Sequence, residues 1–369
     1  MSLLTLDISQ CVHSSNKNAT CNACAEVCPV ETIKITNSVV SFTPSECVGC
    51  GGCGAVCPTS AYSLDDFNPI NFIFKFLESG QNILTCKSEL PCIAALSVEE
   101  LLSLALFKKE EITLDIGPCT ECAIAKTNLE IIKNRAQEVD FLLQAMMQKK
   151  ALHVSALHVK PIEQAEQTQE SISRRELFSK DSIKHVTKIR QQFLNRVEEG
   201  NDEIKSHIVS LSDIAKIKQK KVPQKRSLLL MALKRAEVPE IFHTISIEDI
   251  SFSSQKNIDP DTCTDCQMCY RICPTGALSS DLKSSFIAFN PLACVKCASC
   301  HDVCEPKALT LKPSFSLSNF FEPKAEQLIK FDIKRCDECG VFFAYKGGEK
   351  LCARCMIEED EAKELWGIQ

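Results

Sequence analysis

Sixteen of the 24 cysteines in this chain repeat one spacing. Cys263, Cys266, Cys269 and Cys273 read C-x2-C-x2-C-x3-C with Pro274 directly after, and Cys294, Cys297, Cys300 and Cys304 repeat the run 20 residues further on. Nearer the N-terminus stand Cys47, Cys50, Cys53 and Cys57 with Pro58, preceded by Cys11, Cys21, Cys24 and Cys28 with Pro29, where the first gap is stretched to nine residues. A cubane of iron and sulfide needs a thiolate on each of its four irons. Two-residue gaps let one tight loop reach three corners, and the fourth ligand must come from the far side. The chemistry of such a group is one-electron transfer. Four runs in two pairs are too regular for chance or for purely structural cysteines.

The other eight cysteines form two smaller groups. Cys336, Cys339, Cys352 and Cys355 make two C-x2-C knuckles twelve residues apart, a set suited to one tetrahedral metal in a closed structural site. Zinc is expected there, with rubredoxin-like iron as the alternative. Phe342, Phe343 and Tyr345 are expected to pack beneath it. Cys86, Cys92, Cys119 and Cys122 lie at the ends of expected strands, where they can converge on one edge. A fifth metal or iron–sulfur site is the first reading, with a dithiol at Cys119 and Cys122 or plain buried cysteines as alternatives.

The four runs resemble those of bacterial-type ferredoxins that hold two [4Fe-4S] clusters, over about a third of the chain. The resemblance implies that family's fold, with two helices against small sheets and pseudo-two-fold symmetry. It also implies four [4Fe-4S] clusters with exchanged ligands, because in this pattern the last cysteine of each run serves the partner cluster. The sets are then Cys11, Cys21, Cys24 with Cys57; Cys47, Cys50, Cys53 with Cys28; Cys263, Cys266, Cys269 with Cys304; and Cys294, Cys297, Cys300 with Cys273. Two departures stand out. The long gap after Cys11 makes it the least secure ligand, and Cys304 is followed by Glu305-Pro306 instead of proline alone. The central region resembles the small iron–sulfur subunits that link hydrogenases to disulfide reductases, in its pattern of strands and cysteines.

The elements that must position these ligands give an α+β, multidomain chain. Residues 1–70 and 246–315 are the two 2[4Fe-4S] ferredoxin-like domains, with short strands at 32–35, 39–42 and 285–289. Units of this size bury little apolar surface, and bound metal makes up the deficit. Between them, residues 71–164 form a small α/β domain: strands at 82–85, 111–116 and 151–159, a helix from Ser97 to Phe107 with Ser97 and Glu100 spaced as a capping box, and a long amphipathic helix over 127–148. Residues 165–245 are polar, basic and cysteine-free, which suits a helix-rich linker or arm. Residues 330–369 are the zinc-ribbon-like tail.

Charge is uneven. Residues 1–70 carry two lysines against six acids, whereas residues 171–235 carry sixteen Lys or Arg against seven. Acidic faces on small electron carriers commonly steer docking. Regular cysteine spacing without a secretory leader points to a reducing interior, the cytoplasm, and no run of about 18 apolar residues suggests a membrane span. The loop Gly49-Cys50-Gly51-Gly52-Cys53-Gly54 matches the dinucleotide fingerprint by letter only, since it lacks the strand, helix and acidic partner and interleaves with thiolate ligands. Its glycines are expected to let backbone N–H groups approach cluster sulfurs. Ser173-Arg174-Arg175-Glu176-Leu177-Phe178 imitates an export signal but is internal, and reads better as a capping box of Ser173 and Glu176. The seven histidines have no triad or metal spacing; His301 beside Cys300 is either a cluster-tuning group or an ordinary surface residue.

No catalytic constellation is found, so the chain is expected to be no enzyme by itself and to have no small-molecule substrate. The expected role is a cytoplasmic polyferredoxin relaying single electrons to or from a larger oxidoreductase of formate dehydrogenase, hydrogenase or nitrate reductase type. The alternative is an accessory protein that helps assemble such an enzyme. Nucleic acid is a disfavoured partner for the basic arm, which has few interleaved aromatics.

Overall fold

The structure is a computed structural model that describes residues 4–149, 151–157 and 219–366. The first cysteine-rich unit is built on two antiparallel pairs. Strands Ile33–Thr36 and Val39–Phe42 form a hairpin whose turn residues, Asn37 and Ser38, both take positive φ (51° and 62°). That is the turn whose twist matches two adjoining strands, and asparagine tolerates it well. Strand Leu4–Leu6 closes the unit by pairing with Tyr62–Leu64. Its core is small: Leu4, Ile33, Ala61, Tyr62 and Leu64 together with Cys53 and Cys57.

The second unit repeats the plan. Lys256–Ile258 pairs with Leu309–Leu311, and Leu278–Ser279 pairs with Phe286–Phe289. A further strand, Glu326–Lys330, adds to the free edge of Phe286–Phe289. The chain just before the expected start of the tail is therefore part of the second unit's sheet.

Between the two units in sequence lies a parallel sheet of Ile83–Leu84, Ile112–Asp115 and Leu152–Ser155, in that order, with helices in the connections as parallel pairing requires. Helix Val98–Lys108 starts at the expected capping box: the Ser97 hydroxyl accepts from the Glu100 N–H, and the Glu100 carboxylate accepts from the Ser97 N–H at 2.7 Å. Ala125–Ala145 is the long amphipathic helix. A further helix, Pro69–Ser79, opens with an Asn68 cap, stops at Gly80 in a left-handed conformation, and buries Ile73 and Phe74.

Residues 219–245, the described end of the span expected as a solvated basic linker, pack differently. Helix Gln224–Leu233 is part of the main core, with Leu228, Leu229 and Ala232 fully enclosed against Val98–Lys108 and Pro69–Ser79. The composition misled because its two basic residues, Lys225 and Arg226, are themselves buried. The Ser173–Glu176 capping box lies outside the described residues.

In the tail, Ile333–Arg335 and Phe342–Ala344 make a hairpin, followed by helix Ala353–Trp366. Among the described residues, no helix is long and apolar enough to cross a membrane.

Candidate metal centres

The three C-x2-C-x2-C loops share one backbone device. The residues on either side of the middle cysteine both have positive φ: Gly49 and Gly51 around Cys50, Asp265 and Gln267 around Cys266, Lys296 and Ala298 around Cys297. Four of these six are not glycine, and each holds a conformation that costs an L-residue on the order of 1 kcal/mol. A left-handed residue turns consecutive N–H groups to one side, which makes a cup for negative charge. The loop around Cys21 and Cys24, with its stretched first gap, lacks the device.

Each loop brings its cysteines together with one from the partner run. Burial raises the Cys11 thiol, and the charges of Cys57 and Cys21 push the same way. Burial likewise lifts Cys24 to about 11, with Cys57, Cys21 and Cys11 beside it. Cys53 is pushed up to about 12 by burial, reinforced by Cys50 and Cys47, while Cys28 acts on Cys50. In the second unit Cys304 acts on Cys263, and Cys269 reaches about 12 through burial, with Cys300, Cys266 and Cys263 adding to the shift. Cys273 and Cys294 both press on Cys300, whose thiol burial lifts to about 11. Cysteines of the paired run are thus among the neighbours of Cys11, Cys50, Cys263 and Cys300. The bare thiols that burial raises in this way stay protonated at neutral pH. A bound cation or cluster reverses that balance by taking up each thiolate's charge, so loading must release protons. Soft sulfur donors in sets of four fit [4Fe-4S] clusters.

Cys86, Cys92, Cys119 and Cys122 also converge. Cys86 and Cys119 follow the C-terminal ends of the first two parallel strands, and burial raises Cys119 to about 11 with Cys92, Cys86 and Cys122 adding to the shift. The loop carrying Cys119 is fixed from below. The buried Asp115 carboxylate accepts from the N–H groups of Gly117 (2.9 Å) and Leu157 (3.1 Å). A Cβ on Gly117 would stand 2.2 Å from the Leu157 carbonyl oxygen, so only glycine passes here.

The tail cysteines are closer still. The ligand sulfurs of Cys336, Cys339, Cys352 and Cys355 all lie within 4.8 Å of one another, with Cys339 and Cys352 3.7 Å apart. A metal–sulfur bond of ~2.3 Å in a tetrahedron gives an edge of ~3.8 Å, so the spacing suits one ion rather than a cluster. Backbone N–H groups of Cys339 and Cys352 point at the Cys336 sulfur and draw its pKa down to about 6, preparing one thiolate. Of the three aromatics expected beneath the site, Phe343 packs against it with Leu351, whereas Phe342 lies exposed near Lys283 and Arg335, and Tyr345 stacks under Lys334. Alternation along the Phe342–Ala344 strand puts only one of two consecutive residues on the metal side. Metal analysis of the anaerobically purified chain is expected to find one zinc per chain in addition to iron. Zinc well below stoichiometry, with a rubredoxin-type visible band, would assign the tail to iron.

His301 is neither of the two things expected of it. Its Nδ1–H donates to the Leu309 carbonyl (3.1 Å) and its Nε2 accepts from Lys256 Nζ (2.7 Å). Burial and the adjacent ammonium hold its pKa down to about 4, so it is neutral. The charge beside Cys300 belongs to Lys256, which is buried in the strand Lys256–Ile258. Nothing in the spacing of the sequence connects a lysine to a cysteine 44 positions away.

The two ferredoxin-like units touch directly. Asn16 Nδ2 donates to Ser299 Oγ (3.1 Å), and Thr20 donates from its N–H and hydroxyl to the Asp302 carboxylate (3.1 and 3.0 Å). The set containing Cys11 and Cys21 therefore faces the one containing Cys297 and Cys300. Asn128 Nδ2 donates to Cys92 Sγ at 3.5 Å and also acts on the Cys50 thiol of the first unit.

Comparison with known proteins agrees with this geometry. Residues 17–61 and residues 255–305 each match a 4Fe-4S dicluster domain model. A protein named "Ferredoxin 7Fe" from Hydrogenibacillus schlegelii is 45% identical over 47 residues, 13% of this chain and 60% of that protein. An uncharacterized ferredoxin of Methanocaldococcus jannaschii is 38% identical over 63 residues, 17% of this chain and 94% of that protein. A ferredoxin of Streptomyces griseus is 43% identical over 47 residues, 13% of this chain and 45% of that protein. No solved structure matches. With two dicluster domains laid over its cysteine loops and almost the whole of one ferredoxin covered, the chain belongs to the 4Fe-4S ferredoxins, an iron–sulfur electron-transfer family, as a multi-cluster ferredoxin-type protein.

Proposed function

We propose that this protein is a polyferredoxin that relays single electrons between a redox partner and a larger cytoplasmic oxidoreductase of formate dehydrogenase, hydrogenase or nitrate reductase type. One observation carries the reading: two 4Fe-4S dicluster matches lie over the cysteine runs, and four cysteines per run are enough to occupy every iron and leave no coordination position for a substrate. When bound, [4Fe-4S] clusters supply one-electron chemistry, and the chain's residues position and bias them. The ligand sets are those given by the exchanged pattern, with Cys11 placed beside Cys21, Cys24 and Cys57 in spite of its long gap. Cys86, Cys92, Cys119 and Cys122 form a fifth iron–sulfur site, and the tail holds zinc as a structural ion. The regular cysteine spacing suits metal ligation in a reducing compartment.

Positive groups are buried where they favour the reduced, more negative state. Lys225 Nζ donates to the carbonyls of Ala55 (2.9 Å) and Cys57 (2.6 Å), and Arg226 donates to those of Leu292 and Cys294. Together with Lys256 they line the junction between the two ferredoxin-like units with cations, which raises reduction potentials there. The test is rapid mixing of the reduced, anaerobic full chain with the oxidoreductase that co-purifies with it. Reoxidation at least as fast as that enzyme's turnover supports the relay. Slow reoxidation, with iron passing to the cluster-free form of the enzyme, sinks it in favour of an assembly role.

A further inference from the structure

Sequence order puts the four-cysteine site of the α/β unit between the two ferredoxin-like units, as a bridge. The contacts give another order. The two ferredoxin-like units meet each other through Asn16, Thr20, Ser299 and Asp302. The site of Cys86, Cys92, Cys119 and Cys122 lies against the first unit next to Cys50, where the Ala95 loop presses on Gly51.

We propose that this site is the terminal station of the electron path, not its bridge, and that the side-chain amide of Asn128 couples it to the neighbouring station held by Cys28, Cys47, Cys50 and Cys53. The inference rests on the reading of the central four cysteines as an iron–sulfur site.

Asn128 is 2% exposed and stands near the start of the Ala125–Ala145 helix, between the two sets of ligands. Its NH2 group donates to the Cys92 sulfur at 3.5 Å and also acts on the Cys50 thiol, so it stands beside one ligand of each set. Its Oδ1 is buried with no hydrogen-bond partner. An apolar residue of the same size would avoid that orphaned acceptor, so packing alone does not explain an amide here. An NH2 group beside two ligand sulfurs does explain it, because N–H donation towards sulfur stabilises a cluster in its more negative state.

The surroundings hold this junction closed. A Cβ on Gly51, in the Cys50 loop, would come within 2.7 Å of Ala95 Cβ, so this glycine also lets the two loops press together. Arg135 pins the same loop from behind, donating to the carbonyls of Ala94 (2.7 Å) and Leu96 (2.8 Å). On the outer side Cys122 is exposed, as expected of a station that exchanges electrons with an external protein.

The experiment uses the full chain under anaerobic conditions, with iron counting and potentiometry followed by electron paramagnetic resonance. Asn128→Leu is expected to keep its iron and to shift two stations, those of Cys50 and of Cys92, to more negative potentials while the others stay in place. Asn128→Asp, isosteric but without the NH2 donors, gives the same two-station shift if the leucine variant sheds iron. Unmoved potentials in both variants overturn the coupling. Cys119→Ser with Cys122→Ser tests the underlying reading separately: loss of one cluster's iron and of one of the two shifting signals is expected. Unchanged iron in that double variant overturns both the fifth site and the proposal.

Discussion

Arg226→Ala is expected to lower the stability of the chain by about 3–5 kcal/mol, the range for removing one partner of a buried ion pair. Arg226 is 1% exposed, and all of its donors are directed inward. Nε meets Glu99 Oε1 at 2.5 Å, one terminal nitrogen donates to the carbonyls of Leu292 (2.5 Å) and Cys294 (2.7 Å), and the other donates to Phe252 (2.5 Å). Alanine would leave the Glu99 carboxylate and these carbonyls buried without a partner. Lysine keeps the charge but not the planar fork, so Arg226→Lys should recover only part of the loss. Because Glu99 opens the Val98–Lys108 helix and Cys294 belongs to the second ferredoxin-like unit, the damage should spread beyond one element. Thermal unfolding of the loaded chain measures the first effect. Faster iron loss from the Cys294 set, followed by its absorbance, measures the second. An Arg226→Ala chain as stable as the parent would remove this residue from its central structural role.

Cys57→Ala should abolish one cluster, and the identity of the lost cluster is informative. Cys57 directly continues the run Cys47, Cys50, Cys53, but the charges around it belong to Cys11, Cys21 and Cys24. The variant is therefore expected to lose or degrade the cluster of the Cys11 set, with roughly three or four irons gone and the corresponding resonance signal altered or absent. The cluster of Cys47, Cys50, Cys53 and Cys28 should keep its potential. Loss of that second cluster instead would show that the ligands are not exchanged. The Cys11 set is also the one whose loop lacks the paired left-handed residues, so it should be the first to shed iron in the parent chain under air.

Much of this arrangement was visible in the residues alone, for identifiable reasons. The cysteine runs reveal themselves because ligation imposes fixed spacing, and the Val98–Lys108 helix because Ser97 and Glu100 satisfy each other's backbone partners locally. The strands at 33–36, 39–42 and 286–289 follow from runs of β-branched and aromatic residues between turns. Other features depend on partners far away in sequence. Lys225 and Arg226 read as solvated charges because their carbonyl acceptors and Glu99 lie 26 to 170 positions away. Lys256 was invisible beside Cys300 for the same reason. The order of the metal sites was hidden too, because Asn16 and Ser299, 283 residues apart, join the units that the sequence separates.

The central claim is that the chain stores and passes electrons, and a stepwise reductive titration of the anaerobically loaded full chain tests it most directly. The expected result is reversible uptake of about one electron per cluster, with the visible spectrum restored on reoxidation and no iron released. Fewer reversible electrons than clusters, or iron leaving the protein during the reduction and reoxidation cycle, would contradict it.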